Sequence, residues 1–340
     1  MFLTHWLLLA LFCDTYPHVN GWGRVGHSIT VRLAQSQLVD SAPEWIRSLT
    51  PWHWNGNLSA MSSWADSILS ENNNPTGYAN WQWSRILHYV NIPDLSCDYQ
   101  PERDCINDQC ILGAIKNYTK RLVTEHDHIQ QEEALYFLIH FLGDIHQPLH
   151  TGFRGDRGGN SVVGTFMNET SRTNLHFLWD VGLIEVRLEK DFQQNTSLYY
   201  DYIYQLMINQ TSQIDDNLEQ LNEQNINLIC SQIYFDENNV TMNASTNFTL
   251  GEIYYQRNIP IVEQRLVDGG RRLGVLLNRL AKTRSQQPSD KKPKLCSGTI
   301  ALIVILCLEG VLAIVGGVLI WLRFKNKLST TYSISEFSKT

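Results

Sequence analysis

Residues 138–150 read LIHFLGDIHQPLH, an apolar run that carries three histidines and one aspartate. His140 and Asp144 are four residues apart, so on a helix both side chains project from one face and can share a metal ion. Pro148 should kink or end that helix, and His150 beyond the break can point toward a second ion. The stretch therefore predicts a buried helix that presents metal ligands.

Residues 174–180 repeat this spacing in the stretch NLHFLWD. His176 and Asp180 are again four residues apart, on a predicted helix from Asn174 to Leu188 that Asn174 can cap. One such pair alone would more often be coincidence. Two pairs amid apolar neighbours indicate metal ligands, because an uncompensated aspartate is costly there. Imidazole and carboxylate ligands at four-coordination favour zinc.

Three further candidates lie upstream, at His27, Asp66 and His88. Each alone would more often be a satisfied core residue or a surface group. Together with Trp22 and the downstream sets, they supply enough donors for three zinc ions. The nine candidate ligands are Trp22, His27, Asp66, His88, His140, Asp144, His150, His176 and Asp180.

The composition is that of a folded protein without a broad basic surface. The 340 residues are 43% hydrophobic with 21 Gly and 10 Pro, which excludes disordered, collagenous and low-complexity proteins. The net charge is −7. Any nucleic-acid chemistry would therefore have to depend on metal ions rather than on Lys and Arg.

Residues 22–284 contain no linker or internal repeat, which predicts a single domain. Helical spacing of apolar residues is clearest over Val25 to Leu38 and over Glu132 to Gln147. Alternating strand patterns are scarce. The sequence therefore predicts a mainly α-helical, single-domain fold.

Both ends of the chain carry targeting patterns. An apolar run too short to span a bilayer is typical of a signal peptide, which we expect at 1–21. Residues 298–322 are long enough to cross a bilayer and follow a polar stalk at 285–297. A buried core helix is the alternative, but the terminal position favours a membrane span. We therefore expect a single-pass type I membrane protein with a cytoplasmic tail at 323–340 and its bulk in an extracellular or lumenal compartment.

Cysteines and glycosylation sequons agree with that compartment. Four of the 7 cysteines lie in the predicted domain, and an even number in an oxidising compartment predicts two disulfides with three possible connectivities. These cysteines are Cys97, Cys105, Cys110 and Cys230. Sequons predict several glycans and occur at Asn57, Asn117, Asn168, Asn195, Asn209, Asn239, Asn243 and Asn247.

The motifs together resemble the class I zinc-dependent single-strand nucleases of the fungal S1/P1 type and of plants, and the membrane-anchored 3′-nucleotidase/nucleases of trypanosomatids. The resemblance covers about residues 22–275 and includes the order and spacing of the motifs. They are WGxxGH at 22–27, WAD at 64–66, LHY at 87–89, HFLGD at 140–144, QPLH at 147–150, GGN at 158–160 and NLHxxWD at 174–180. The resemblance implies a mainly helical fold similar to zinc phospholipase C, with a trinuclear zinc cluster.

The resemblance also implies a ligand set for each ion. The first zinc would be held by Asp66, His88, His140 and Asp144. The second would be held by His150, His176 and Asp180. The third would be held by the α-amino group and carbonyl of Trp22, by His27, and by Asp144 as a bridging ligand. The implied disulfides are Cys105–Cys110, which matches a short family disulfide, and Cys97–Cys230.

By the same resemblance, the chain would cleave single-stranded DNA and RNA to 5′-mononucleotides and would hydrolyse 3′-nucleotides. A zinc-bound water would attack phosphorus, with Asp144 as the bridging ligand. Tyr89 is placed to stack on a base and Asn91 to hydrogen-bond its edge, although ordinary packing of Tyr89 remains open. The implied partners are these nucleic acids and, through the C-terminal helix, the lipid bilayer. No protein partner is implied.

One position departs from the family pattern. An arginine often follows the aspartate of the WAD motif by three residues and helps to hold the phosphate, whereas this chain has Leu69. We expect hydrolysis with an altered rate or phosphate preference, and Arg85 is a candidate substitute. His146 lies outside the ligand set and is predicted either to support the ligands from outside or to be structural. The alternatives are a phospholipase C-like phosphodiesterase and a catalytically silent glycoprotein on the same scaffold.

Overall fold

Helices make up most of the computed structural model, which describes residues 22–167, 171–286 and 312–323. One compact unit ends at Gln286. Its described α-helices are α1 (Arg24–Gln35), α2 (Ala42–Leu49), α3 (Trp64–Ser67), α4 (Pro101–Asp104), α5 (Ile111–Thr124), α6 (His128–Asp144), α7 (Leu175–Phe177), α8 (Leu183–Phe192), α9 (Thr196–Ile208), α10 (Leu218–Leu228) and α11 (Glu252–Gln286). Short 3₁₀ segments are Leu58–Ala60, Tyr78–His88, Ile106–Asp108 and Pro148–Thr151, and π-helical segments are Leu178–Gly182 and Ile229–Ile233. The predicted mainly helical class is confirmed.

Helix α6 is buried on every side over its second half, where all residues from Ala134 to Asp144 are inaccessible to solvent or nearly so. A helix that is apolar all round must lie inside the protein, and α6 packs against α1, α3, α5 and α11. Asp127 caps it by accepting hydrogen bonds from Ile129 N (2.7 Å) and Gln130 N (3.2 Å). The site residues on α6 thus lie in a stretch of helix that is buried on every side.

Two apolar clusters form the core, and α1 contributes to both. Val31 belongs to the cluster around α5 and α6, in which Phe137 stacks between Tyr118 (4.8 Å) and Phe141 (5.2 Å). Ile29 belongs to the second cluster, which surrounds the buried indole of Trp179. Because α1 packs against α6 and α11, its side chains reach the region where the two clusters meet.

A small three-stranded sheet holds the segment of chain that leads into α7. Strand β1 (Val163–Phe166) pairs antiparallel with β2 (Thr173–Asn174) and parallel with β3 (Phe248–Leu250). The Asn174 side chain then accepts a hydrogen bond from Phe177 N at 2.7 Å, which confirms the predicted N-cap.

Several predicted boundaries differ from the structure. The helix expected over Val25 to Leu38 is α1, and the one expected over Glu132 to Gln147 starts earlier, at the Asp127 cap, and ends at Asp144. Its end comes early because the Gln147 side chain caps the following 3₁₀ segment and accepts from Leu149 N at 2.6 Å. The single helix expected from Asn174 to Leu188 is instead α7, a π-helical turn and α8.

Two disulfides brace the domain, Cys97–Cys230 and Cys105–Cys110, as the resemblance implied. The seven sequons that the structure describes are all exposed, as attachment of a glycan requires. They are Asn57, Asn117, Asn195, Asn209, Asn239, Asn243 and Asn247. Asn168 lies outside the described residues.

Helix α11 continues through Gln286, so it includes the first residues of the predicted stalk. The predicted signal peptide, the rest of the stalk and most of the predicted membrane span and tail lie outside the described residues. A separate helix covers residues 312–323, at the end of the predicted span. Among the residues described, none of the helices combines the length and the apolar character needed to cross a bilayer.

Candidate metal centre

Eight of the nine predicted ligands supply side-chain donors that converge inside the domain. They form three groups, and within each group one ligand atom per residue lies within 4.8 Å of the others. The groups are His27, His140 and Asp144; Asp66, His88 and His140; and His150, His176 and Asp180. Three such groups of imidazole and carboxylate donors could hold three metal ions.

The group of His27, His140 and Asp144 forms because α1 can approach α6 closely. Gly143 makes this approach possible: a Cβ atom at that position would lie 2.5 Å from His27 Nδ1. The His27 ring stacks on the ring of His140, with centroids 4.0 Å apart. A glycine within the HFLGD motif is therefore a requirement of the site geometry.

The two oxygens of Asp144 face different histidines. Oδ1 lies 3.2 Å from His27 Nε2, whereas Oδ2 lies 2.9 Å from His88 Nδ1 and 3.3 Å from His140 Nε2. Asp66 completes this side of the site, with its Oδ1 3.3 Å from His140 Nε2. The carboxylate of Asp144 is thus arranged as a bridge between two ligand groups.

The group of His150, His176 and Asp180 combines the 3₁₀ segment after α6 with α7 and the π-helical turn that follows it. His176 Nε2 lies 3.3 Å from Asp180 Oδ2, and His150 Nε2 lies 3.9 Å from Asp180 Oδ1. Asp180 sits in the π-helical turn, a feature frequent at functional sites. Gln147 Nε2 donates to Asp180 Oδ1 at 2.6 Å and fixes the carboxylate.

Backbone carbonyls orient three of the histidines. Nδ1 of His140 donates to Ser62 O (2.7 Å), Nδ1 of His150 to His88 O (2.6 Å), and Nδ1 of His176 to Gly158 O (2.7 Å). With the proton on Nδ1, the lone pair of Nε2 points into the site. Metal-binding histidines are commonly oriented in this way by a hydrogen bond from the ring nitrogen that does not bind the metal.

Buried atoms without a hydrogen bond show that the groups fit metal ions. Buried polar atoms normally have hydrogen-bond partners, and isolated exceptions need an explanation. Within the described residues, the buried atoms of these groups that lack a hydrogen bond are His27 Nδ1 and Nε2, Asp66 Oδ1, His88 Nε2, His140 Nε2, Asp144 Oδ1, His150 Nε2 and Asp180 Oδ2. Bound cations account for most of these atoms at once.

Burial sets the protonation of the groups. It lowers the pKa of His150 well below its usual value and that of His176 to about 4, so both rings are neutral and able to bind a metal. It also raises the pKa of Asp144 and Asp180. For His140, burial disfavours the charged ring, but the carboxylates of Asp144 and Asp66 outweigh burial and raise the pKa to about 9.

A cavity of about 250 Å³ opens beside these groups. Its walls include three of the histidines, and Tyr89 and Asn91, the predicted substrate-binding residues, line it with them. Arg85, Arg157 and Asn160 complete the polar lining. Sequence reasoning assigned no role to Arg157; the signal was the Gly158–Gly159 pair that follows it, whose φ angles of +65° and +85° require a turn.

Comparison with known proteins identifies the family. Residues 22–282 match the sequence model of the family described as S1/P1 Nuclease. The chain belongs to the S1/P1 nuclease family. It is 36% identical to Endonuclease 3 of Arabidopsis thaliana over 282 residues, which cover 77% of this chain and 90% of that protein. It is 32% identical to Nuclease S1 of Aspergillus oryzae over 180 residues, which cover 52% of this chain and 58% of that protein. As an S1/P1 nuclease, the chain is a hydrolase of phosphodiester bonds.

In this S1/P1 nuclease, Leu69 does not reach the cavity. Its side chain is 6% exposed and packs in the apolar cluster around α5 and α6. His146 is also turned away from the ligand groups: Nδ1 contacts Leu142 O at 2.6 Å, and Nε2 accepts a hydrogen bond from Arg272 Nη1 at 2.5 Å. These contacts agree with the structural role predicted for His146.

Trp22, the ninth predicted ligand, is fully buried at the start of the described chain. Gly23 N donates to Asp180 O at 2.9 Å, so the chain before α1 lies against the group of His150, His176 and Asp180. A Cβ atom on Gly26 would lie 2.9 Å from Trp22 Cβ, which shows how tightly α1 packs on this residue.

Proposed function

We propose that this nuclease uses three zinc ions to cleave single-stranded DNA and RNA to 5′-mononucleotides and that it also hydrolyses 3′-nucleotides. The observation that carries this proposal is the set of buried imidazole and carboxylate atoms without hydrogen bonds, arranged in three groups, two of which contribute histidines to the wall of one cavity. Neutral imidazole and carboxylate donors favour zinc.

Each ion is assigned its own residues. The first zinc would be held by Asp66, His88, His140 and Asp144. The second would be held by His150, His176 and Asp180. The third would be held by His27, by Asp144, and by the α-amino group and carbonyl of Trp22 once residues 1–21 are removed. When bound, the ions would make water nucleophilic at neutral pH and neutralise the charge on the phosphate oxygens.

The protein groups around the ions provide orientation. Asp144 couples two ligand groups because its oxygens face His27 on one side and His88 on the other. The carbonyl of Ser62 and the amide of Gln147 hold His140 and Asp180 in fixed orientations. Preorganised ligands lose little free energy to reorganisation during the reaction.

The cavity favours an unpaired base. Tyr89 offers an aromatic face and Asn91 a side-chain amide, which suit stacking and hydrogen bonding with a base that has left its helix. Bases in a duplex are already stacked and paired, so they present neither surface to such a cavity. With a net charge of −7, affinity for the polyanion would come from the metal ions and the cavity rather than from a broad basic surface.

We also propose that the chain is a type I membrane glycoprotein whose domain, residues 22–284, faces the extracellular or lumenal side. Two disulfides and seven exposed sequons support exposure to the secretory pathway. The apolar sequence of residues 298–322 supports anchoring in a bilayer.

The test is a substrate panel on full-length protein purified from a eukaryotic secretory host. We expect cleavage of single-stranded DNA, RNA and 3′-AMP, loss of activity on chelation, and recovery with zinc. His176→Ala should abolish activity, whereas His53→Ala, a change at an exposed histidine outside the ligand groups, should not. Cleavage of phosphatidylcholine alone would indicate a phospholipase C-like enzyme. Zinc content without any cleavage would indicate a silent scaffold.

A further inference from the structure

We propose that Arg85 positions the scissile phosphate in this nuclease. The inference rests on the proposed function and adds a residue to it, because position 69 is buried in the core and provides no cation to the cavity. Arg85 is a positioning residue in this assignment: it would bind and orient the phosphate while the ligand groups perform the chemistry.

The backbone places Arg85 directly beside the ligands. Residues Tyr78–His88 form a 3₁₀ helix, in which side chains three residues apart are eclipsed. Gln82, Arg85 and His88 therefore lie in one row, with Arg85 about 6 Å along the axis from His88. Arg85 and His88 line the same cavity, so the guanidinium of Arg85 lies beside a predicted zinc ligand in that cavity.

The Arg85 guanidinium is held in place by Gln82, and its charge also acts on the carboxylate of Asp66. Its Nε and Nη2 atoms donate to Gln82 Oε1 at 3.3 and 3.1 Å, which fixes the side chain. Among the described residues it forms no ion pair with a carboxylate. Nη1 is therefore available to a ligand, and a prepositioned guanidinium loses little conformational entropy when it binds one.

The charge of the cavity suits an anion. Two arginines and three histidines line it, and Asp and Glu are missing from its lining within the described residues. Arg157 is the second arginine, but it is exposed, and its guanidinium has no hydrogen bond within the part of the chain described. Arg85 is half-buried and fixed, so it is the better placed of the two to hold a phosphate in one orientation.

The chemistry of guanidinium explains why the target is the phosphate. A planar guanidinium forms charge-assisted hydrogen bonds to phosphate oxygens, and this contact does not depend on the base. Loss of Arg85 should therefore affect every phosphodiester alike, including one without a nucleobase. This distinguishes it from Tyr89 and Asn91, whose proposed contacts are with the base.

The test compares Arg85→Gln and Arg85→Lys in the full-length, zinc-loaded protein. The substrates are a dinucleotide and bis(p-nitrophenyl) phosphate, and inorganic phosphate is the competitive inhibitor. We expect Arg85→Gln to lower kcat/KM about 10- to 100-fold on both substrates and to raise the inhibition constant of phosphate, with zinc content unchanged. Arg85→Lys should restore part of the loss. The exposed Arg47→Gln on α2 removes the same charge outside the cavity and should behave as wild type.

Three outcomes would overturn the assignment. They are wild-type kinetics for Arg85→Gln, a loss confined to the dinucleotide, or a loss in Arg157→Gln that Arg85→Gln does not share. Failure of the proposed function would be distinguishable, because the wild-type protein would then cleave neither substrate.

Discussion

Replacing Gly143 with alanine is expected to displace His27 from the metal centre. The new Cβ atom would lie 2.5 Å from His27 Nδ1, whereas unstrained contacts between heavy atoms are about 3.5 Å or longer. The ring must therefore retreat by about 1 Å, since the second half of α6 is buried on every side and cannot move outward. The 3.2 Å approach of His27 Nε2 to Asp144 Oδ1 would be lost.

The expected magnitude is large for activity and modest for stability. A shift of about 1 Å in a catalytic arrangement costs about 100-fold in rate. Overpacking of a core costs about 1–3 kcal/mol, which corresponds to a fall in Tm of about 2–12 °C for a domain of this size. The variant should therefore remain folded at 25 °C while it loses one of the three proposed zinc ions and most of its turnover.

The assay combines zinc content by mass spectrometry, kcat on single-stranded DNA, and thermal unfolding. Gly274→Ala makes the same change inside helix α11, where the nearest atoms are Gln37 Nε2 at 3.1 Å and Ala34 O at 3.2 Å, and serves as the control. Full zinc content and normal turnover in Gly143→Ala would refute the close packing of His27 on α6. Global unfolding would also refute it, because the predicted damage is local.

Three more predictions concern the ions. Asp144→Ala should lower bound zinc by more than one ion, because its two oxygens face different ligand groups; a loss of one ion with activity retained would contradict the bridge. Extension by one residue, so that Gly21 precedes Trp22, should remove the third zinc and most turnover, because an amide nitrogen cannot replace a free amine; full activity, with the extra residue verified by mass, would contradict this. Burial raises the pKa of Asp144 and Asp180, and for His140 the neighbouring carboxylates outweigh burial and raise the pKa to about 9, so the metal-free protein keeps a proton on His140 at neutral pH that zinc must displace. Zinc affinity should therefore fall as pH falls, and calorimetric heats that do not change between buffers of different ionisation enthalpy would contradict the proton release.

Sequence reasoning predicted the ligands that local geometry brings together. His140 and Asp144 lie on one face of α6 because four residues are close to one helical turn, and the structure places His140 Nε2 3.3 Å from Asp144 Oδ2. His176 Nε2 likewise lies 3.3 Å from Asp180 Oδ2, even though a π-helical turn begins between these two residues. The spacing survives a change in helix type, so the two side chains still face each other although a π-helical turn interrupts the helix predicted from Asn174 to Leu188.

Tertiary packing determined the features that spacing could not predict. The contact between His27 and Asp144 depends on how α1 approaches α6 over Gly143, and no local pattern encodes that distance. Asp66 lies on α3, a helix of four residues that is too short to produce a periodic signal. The 3₁₀ helix that aligns Arg85 with His88 has a three-residue period, which a search for α-helical spacing does not detect.

The three-zinc centre is tested most directly by diffraction from crystals of the mature protein, measured on both sides of the zinc absorption edge. Three anomalous peaks are expected: one among Asp66, His88, His140 and Asp144, one among His150, His176 and Asp180, and one beside His27, Asp144 and the amino group of Trp22. Absence of these peaks in active protein, or zinc bound only at other residues, would contradict the three-zinc centre.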